Sequence, residues 1–277
     1  MSIFLFSLLV NTAYFIADLF IKLSSTQQSA WEILRFRSIY AVLLSLVLIG
    51  ISQETLAVPA PTQLALLIGC GLLNAFGLYA YIKALQNLHF ANVSVVGIAG
   101  ALIHYAVAAV FQHSVLGIWF YIASLFCMAG IAIQWKKLQS NRGLIWAVSG
   151  AIAWGFGYAL LAFPMQTCSA SFATLVTELC LLLLALLFSQ KQSFIHAFKQ
   201  SKNLFWVAFF TILGSWLLNI SYSKFNLNLM GFMQLAFFPY SLLAGFFIFK
   251  EKLSNKEWLG IGLIGTGLVI YFWLVAA

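Results

Sequence analysis

Charged residues are scarce in this chain. Lys, Arg, Asp and Glu make up 7% of its 277 residues, whereas hydrophobic residues make up 63%. With a mean hydropathy of +1.00, a chain of this length cannot bury its apolar surface in a water-soluble globule. The composition therefore predicts an integral membrane protein, with the lipid bilayer as its surroundings.

Acidic residues are the scarcest of the charged residues. Six Asp and Glu stand against 14 Lys and Arg, which gives a net charge of +8. In a soluble protein this excess would suggest a nucleic-acid partner. Here the basic residues lie mostly in the short connections between apolar runs, where they set the orientation of the chain in the membrane. We therefore expect no nucleic-acid partner.

Patterns typical of metal sites and enzymes are also missing. The four cysteines lie in or at the ends of apolar segments, with no CxxC pair and no His at ligand spacing. The sequence shows no nucleophile beside a base, no phosphate-binding loop and no interfacial cluster of His, Asp and Glu. We expect no metal, no cofactor and no enzymatic activity.

Long apolar runs dominate what is present. They predict an all-α membrane protein of ten transmembrane helices in a single domain, residues 1–277. Most connections are shorter than ten residues, so we expect consecutive helices to be neighbours in space. The first run lacks a basic start and is interpreted as a retained helix rather than a signal peptide. The predicted spans are roughly 4–22, 31–50, 62–82, 92–112, 115–135, 143–163, 169–188, 203–223, 228–248 and 257–275.

The ten spans divide into two sets of five, about 1–137 and 143–277. Leu-Leu-Asn at 72–74 in the third span recurs at 217–219 in the eighth. Because five is odd, the second set has to be inverted relative to the first. Inverted five-helix repeats are the plan of many secondary transporters, which bind solute near the midplane between the repeats.

The segment from Phe249 to Ile270 resembles the end of the EamA-type repeat of the drug/metabolite transporter superfamily. There, a helix with an internal proline (here Pro239) ends at Glu251, and Leu253-Ser254 leads into a glycine-rich last helix. The resemblance implies a secondary transporter of the inner (cytoplasmic) membrane, monomeric or homodimeric. Its commonest activity would be export of a small organic solute, a metabolite or an amino acid, by alternating access.

Two alternatives stay open at this point. One is uptake, or antiport of a phosphorylated or nucleotide-linked metabolite; few basic residues come near the bundle interior, which disfavours it. The other, from a different class, is a membrane enzyme or a partner subunit that does not transport.

Glu178 is the one acidic residue of the apolar segment 169–188, and it lies near the middle of that segment. Such a group costs about 2.5–3.5 kcal/mol at the bilayer centre, so it normally faces a polar interior. Thr174 and Ser171 share its helical face. We interpret Glu178 as part of a substrate or proton site; the alternative is a neutral carboxylic acid bonded to a neighbouring helix.

Polar and aromatic residues at helical spacing in other spans complete a candidate cavity. For Asn74 the alternative is an interhelical hydrogen bond, and for His104 a packed neutral imidazole. Outside this set, Asp18 is expected to pair with Lys22, and Arg35 and Arg37 are expected to snorkel or to line a cytoplasmic vestibule. The candidate substrate-binding residues are Glu178, Thr174, His104, Asn74, Tyr81, Trp154, Tyr158, Asn219, Tyr222 and Gln234.

The basic residues predict the orientation of the chain. All but Lys224 fall in or beside the connections after the odd-numbered spans, which are then cytoplasmic and leave both termini outside. A fluorescent protein fused after Ala277 should therefore stay dark, since it would be exported unfolded. Bright cytoplasmic fluorescence from that fusion would contradict this orientation.

Overall fold

The structure is a computed structural model that describes residues 3–52, 54, 57–111, 117–135, 141–188, 202–224 and 237–274. Within these ranges the regular secondary structure is helical. The α-helices are α1 Ile3–Ser25, α2 Ala30–Ser52, α3 Pro61–Leu85, α4 Phe90–Ile98, α5 Gly100–Phe111, α6 Ile118–Trp135, α7 Asn141–Leu161, α8 Ala170–Phe188, α9 Lys202–Lys224, α10 Phe237–Leu243 and α11 Asn255–Leu274.

Irregular turns interrupt or extend some of these helices. A single residue, Ala99, separates α4 from α5, and a short 3-10 turn at Pro164–Gln166 follows α7. A π-helical turn, Ala244–Ile248, continues α10. After it, Lys250 has a φ of 51°, in the left-handed region that non-glycine residues rarely adopt. The chain therefore changes direction sharply just before α11.

Seven helices in the described ranges are long and apolar enough to cross a membrane. They coincide with spans one to four and six to eight of the sequence prediction, α4 and α5 counting together as one. The fifth span contains a shorter apolar helix, Ile118–Ile133. The ninth is described only from residue 237 onwards, and the tenth coincides with α11. The chain is thus a multi-pass helical membrane protein; ten crossings stay a prediction.

The most extensive helix contacts cross the middle of the chain. α1 packs on α9, α2 on α8, α3 on α7 and α8, α5 on α7, and α6 on α11, whereas α1 and α2 meet only briefly, as do α2 and α3. The expectation that consecutive helices are neighbours was therefore wrong for α1 with α2 and for α2 with α3, whereas α8 and α9 do pack on each other. A short link fixes only the distance between two helix ends; the side-chain faces decide which helices pack along their length.

Glycines allow α7 to approach two helices of the first half. A Cβ on Gly150 would lie 3.2 Å from the carbonyl oxygen of Gly77 in α3, and one on Gly155 would lie 2.8 Å from that of Gly100 in α5. Backbone contacts this close are typical of membrane helices, where packing replaces the hydrophobic effect as the source of association.

The contact between α6 and α11 is built in the same way. A Cβ on Gly130 of α6 would lie 2.5 Å from the carbonyl oxygen of Gly260, and a Cβ on Gly267 would lie 2.6 Å from that of Ala123. The glycine face of α11 therefore meets a helix. By contrast, Gly262 on the same helix is exposed, with nothing within 4 Å of its Cβ position.

Gly267→Leu should overpack the α6–α11 contact and lower the free energy of unfolding by about 1–3 kcal/mol. Thermal unfolding of the purified protein in detergent would measure the change. Gly262→Leu is the matched control and should leave the melting temperature unchanged or slightly raised. Equal effects of the two substitutions would contradict this packing.

Candidate functional site

A cavity of about 180 Å³ lies between the two halves of the chain. α1, α2, α3 and α4 contribute side chains from the first half, and α7, α8 and α9 from the second. Apolar residues alternate with polar and aromatic ones, as is usual for sites that bind small molecules. The polar and aromatic lining residues are Asn11, Tyr14, Asp18, Arg37, Asn74, Tyr81, Ser94, Trp154, Tyr158, Thr177, Glu178, Thr211, Ser215 and Asn219.

The structure brings most of the predicted site residues to this cavity. Thr174, His104 and Tyr222 are buried but do not line it. Gln234 lies outside the described residues. The predicted residues that do line the cavity are Glu178, Asn74, Tyr81, Trp154, Tyr158 and Asn219.

Glu178 forms an ion pair with Arg37 across the two halves. Nη1 and Nη2 of Arg37, in α2, each donate to one carboxylate oxygen of Glu178, in α8; the Nη2–Oε1 distance is 2.8 Å. The two side chains are 2% and 4% exposed. Arg37 does not snorkel, because its guanidinium pairs with a carboxylate inside the bundle. The other expectation for Arg37, that it lines a cytoplasmic vestibule, stays a prediction. Glu178 does not match the alternative of a neutral acid, since both of its oxygens accept from a guanidinium.

Thr174 and Asn219 form a hydrogen-bonded contact between α8 and α9. The Asn219 amide donates to the Thr174 hydroxyl at 2.9 Å, and that hydroxyl donates to the Ala170 carbonyl at 2.8 Å. Thr174 is fully buried, one turn before Glu178. This contact fixes the side of α8 that carries Glu178, so Thr174 is a supporting residue.

Asp18 lies on the first-half side of the cavity. Its carboxylate accepts a hydrogen bond from the Tyr81 hydroxyl at 2.9 Å, and that hydroxyl lies 3.4 Å from the Ser94 hydroxyl. The expected pair with Lys22 was wrong. The Lys22 ammonium donates instead to the carbonyl of Leu85, at the end of α3, at 2.8 Å and to that of Leu88, in the link to α4, at 3.1 Å. The last carbonyls of a helix have no partner within it and are free to accept such a bond.

Aromatic side chains form much of the remaining wall. Gly77 makes room for the Trp154 indole, since a Cβ there would lie 2.7 Å from it. The rings of Trp154 and Tyr81 have centroids 5.2 Å apart. From α1, the Tyr14 hydroxyl lies 3.1 Å from the Ser215 hydroxyl of α9. The wall is therefore continuous across the two halves.

Tyr222 and His104 lie behind this wall. The Tyr222 hydroxyl donates to the Tyr158 carbonyl at 2.9 Å. The ring of His104 is nearly parallel to that of Tyr222, with centroids 6.5 Å apart. Both residues therefore support Tyr158 and its surroundings and do not face the cavity.

The charges at the cavity do not balance. The acidic and basic side chains that line the cavity are Asp18, Arg37 and Glu178. The positive charge of Arg37 offsets the negative charge of Glu178. Asp18 makes no salt bridge with any basic group among the described residues. An ionised Asp18 would therefore give the cavity an excess of one negative charge.

Residues 141–273, the second half of the chain, match the model of the EamA-like transporter family. The match places this protein in the drug/metabolite transporter superfamily. It is a membrane transporter of that kind, and the resemblance in the segment from Phe249 to Ile270 is confirmed.

Nearly the whole chain takes the same fold as a known structure. One solved crystal structure aligns with 99% of this chain and 99% of its own, at a TM-score of 0.67 and 17% sequence identity. At that identity the likeness shows the fold alone. A comparison with curated proteins gives no match.

Sequence reasoning missed Arg37 as a residue of this transporter's cavity. The position of Arg37 along its helix could have indicated this, because Arg37 is the eighth residue of α2, about 11 Å from the start of the helix. A basic residue so far into an apolar helix needs an acidic partner, and Glu178 was the acidic residue at mid-span.

Removing one member of the Arg37–Glu178 pair should cost about 3–5 kcal/mol of stability, because the other charge is left buried and unpaired. Arg37→Met and Glu178→Leu should each lower the melting temperature, whereas the double variant should regain much of the loss. Thermal unfolding of all four proteins gives the coupling energy. Additive effects of the two substitutions would show that the side chains do not interact.

Proposed function

We propose that this protein is a secondary transporter of the inner membrane that exports a small organic solute, a metabolite or an amino acid, by alternating access. The observation that carries the proposal is a cavity lined by side chains from both halves of the chain, with charged groups facing it from each half. Such a cavity opens to one side or the other when the halves move relative to one another.

The helix pairings support two related repeats. In order along the chain, with α4–α5 and α10 as the fourth and ninth spans, the first span packs on the eighth and the third on the sixth. If each span of one half is replaced by the corresponding span of the other half, so that the first becomes the sixth and the third the eighth, each of these two pairs becomes the other. The same replacement leaves three other pairs unchanged: the second span with the seventh, the fourth with the ninth and the fifth with the tenth. A two-fold relation between the halves produces this pattern, in agreement with the predicted inverted repeats.

The charges at the cavity favour a solute that carries an amino group. Asp18 is an acceptor for a cation, and Tyr14, Tyr81, Trp154 and Tyr158 provide aromatic faces that also attract cations. Arg37 is already paired with Glu178, so an added phosphate would find no free basic partner among the described lining residues. This arrangement disfavours a phosphorylated or nucleotide-linked solute.

Asp18 is also the better-placed carboxylate for proton coupling. Glu178 is held by two hydrogen bonds from Arg37, whereas Asp18 has a neutral partner, the Tyr81 hydroxyl. A carboxylate that binds either a proton or the amino group of the solute couples the two movements, because occupancy by one excludes the other. We therefore assign the exchangeable site to Asp18 and the structural charge pair to Arg37 and Glu178.

Proteoliposomes loaded with amines, amino acids and anionic metabolites would test the function, with a proton gradient imposed. We expect gradient-driven movement of an amino-group solute, and Asp18→Asn should abolish it because the neutral amide binds neither proton nor cation. Tyr81→Phe, which removes the hydroxyl alone, should weaken solute binding by about tenfold or less. Undiminished gradient-driven transport by Asp18→Asn would overturn the assignment, and preference for an anionic solute would overturn the solute class.

A further inference from the structure

Glu54 joins the two halves of the chain at one end of the bundle. It follows α2, in the first half, and one carboxylate oxygen accepts from the amide and the hydroxyl of Ser171 at the start of α8, at 3.0 and 2.8 Å. The other oxygen accepts from the Trp216 indole of α9 at 3.0 Å. All three donors therefore belong to the second half.

These hydrogen bonds favour the charged form of Glu54. Partial burial acts to raise the pKa of this carboxyl, but the hydrogen bonds from Ser171 and Trp216 outweigh that effect and hold the pKa below its ordinary value. Glu54 is therefore a carboxylate at neutral pH, and it lies at the N-terminal end of a helix, where a negative charge is stabilised.

In a second contact between the halves, the contributions of the two halves are reversed. Here the acidic residues come from the second half and the helix start from the first. Glu251 accepts hydrogen bonds from the backbone amides of the first two residues of α4. Glu257 accepts from the Asn92 side-chain amide at 2.9 Å and lies 3.2 Å from Nδ1 of His89. Both carboxylates hold the first turn of α4.

The backbone around Glu251 is shaped for this contact. The left-handed conformation of Lys250 turns the chain so that the Glu251 amide donates to the Gly245 carbonyl at 2.9 Å. A Cβ on Gly245 would lie 2.8 Å from Oε2 of Glu251 and 3.0 Å from the Cβ of Ala91. Gly245 therefore provides the space through which the carboxylate reaches α4.

The two contacts lie at opposite ends of the bundle. α3, with 25 residues, is about 37 Å long, enough to cross a membrane. Glu54 precedes its start, whereas the start of α4, held by Glu251 and Glu257, follows its end. One contact therefore lies on each side of the cavity.

We propose that the Glu54 contact and the Glu251–Glu257 contact are the two gates of the transporter, an inference that rests on the proposed alternating-access function. Each contact ties one half to the other at one end of the cavity, so the halves separate at that end only when its contact breaks. Both contacts are formed in this structure. Opening toward one side then requires loss of one contact while the other is retained.

A thiol in the cavity would report which end is open. Ser215→Cys introduces one, and a membrane-impermeant maleimide can be applied to membrane vesicles of either orientation. The four native cysteines are buried, and peptide mass spectrometry separates them from the reporter. In this background Glu54→Gln should raise labelling from the Glu54 side by about tenfold and lower it from the other side. Glu251→Gln should have the reverse effect.

Glu32→Gln is the matched control. Glu32 also accepts from a helix-start amide, that of Ser29 at 2.8 Å, but the two residues belong to the same half. This variant should leave labelling from both sides unchanged. Equal labelling of the gate variants and this control, or a shift toward the same side in both gate variants, would overturn the proposal.

Milder variants cover the case in which a gate variant does not fold. Trp216→Phe removes one of the three hydrogen bonds to Glu54, and Gly245→Ala displaces the Glu251 carboxylate without removing its charge. Each should shift labelling in the same direction as its stronger counterpart, by a smaller factor, and the absence of any shift would count against the gate. Labelling needs no solute, so it can support the gates even if none of the tested solutes is transported. Conversely, transport without a labelling shift would support the proposed function and count against the gates.

Discussion

The ion pair between Arg37 and Glu178 is the constraint on which the cavity depends. Neither residue has another charged partner among the described residues, and both are almost fully buried. Taking either charge out of water costs several kcal/mol unless the other is in place. The pair therefore requires α2 and α8 to meet, and through them the two halves of the chain. Around it, Thr174 and Asn219 fix the orientation of α8 relative to α9.

Because Arg37 is paired with Glu178, Asp18 is left with a neutral partner. Here Glu178 is engaged by a guanidinium, whereas Asp18 is held by a phenol hydroxyl that donates one hydrogen bond. A phenol is a neutral partner that permits both the charged and the protonated form of the carboxyl. The division of work between the two acidic residues is thus set by what faces each of them.

Four of the six acidic residues link the halves: Glu54, Glu178, Glu251 and Glu257. In a chain with so few charged residues, most of the acidic ones therefore serve contacts between the halves. Hydrogen bonds to a carboxylate are stronger than those between neutral groups, yet they are local and break cleanly. The glycine contacts between α6 and α11 and around α7 also join the halves, but as continuous backbone surfaces. Glu54, Glu251 and Glu257 therefore form local contacts between the halves at the ends of the bundle, whereas Glu178 pairs with Arg37 at the cavity.

The sequence by itself determined the class of protein and seven apolar spans found as long helices in the structure, because apolar length and composition act locally and directly. The family came from the resemblance of the segment from Phe249 to Ile270. It also found the polar and aromatic faces of α3, α7 and α9, since residues three or four apart share one side of a helix. It did not determine which faces meet. Arg37 was expected to snorkel or to line a cytoplasmic vestibule, and Asp18 was paired with Lys22, the basic residue nearest to it in sequence. Only the tertiary structure brought Glu178 to Arg37, 141 positions apart, and Tyr81 to Asp18, 63 positions apart, because packing between helices that are distant in sequence decides the partner of a buried charge.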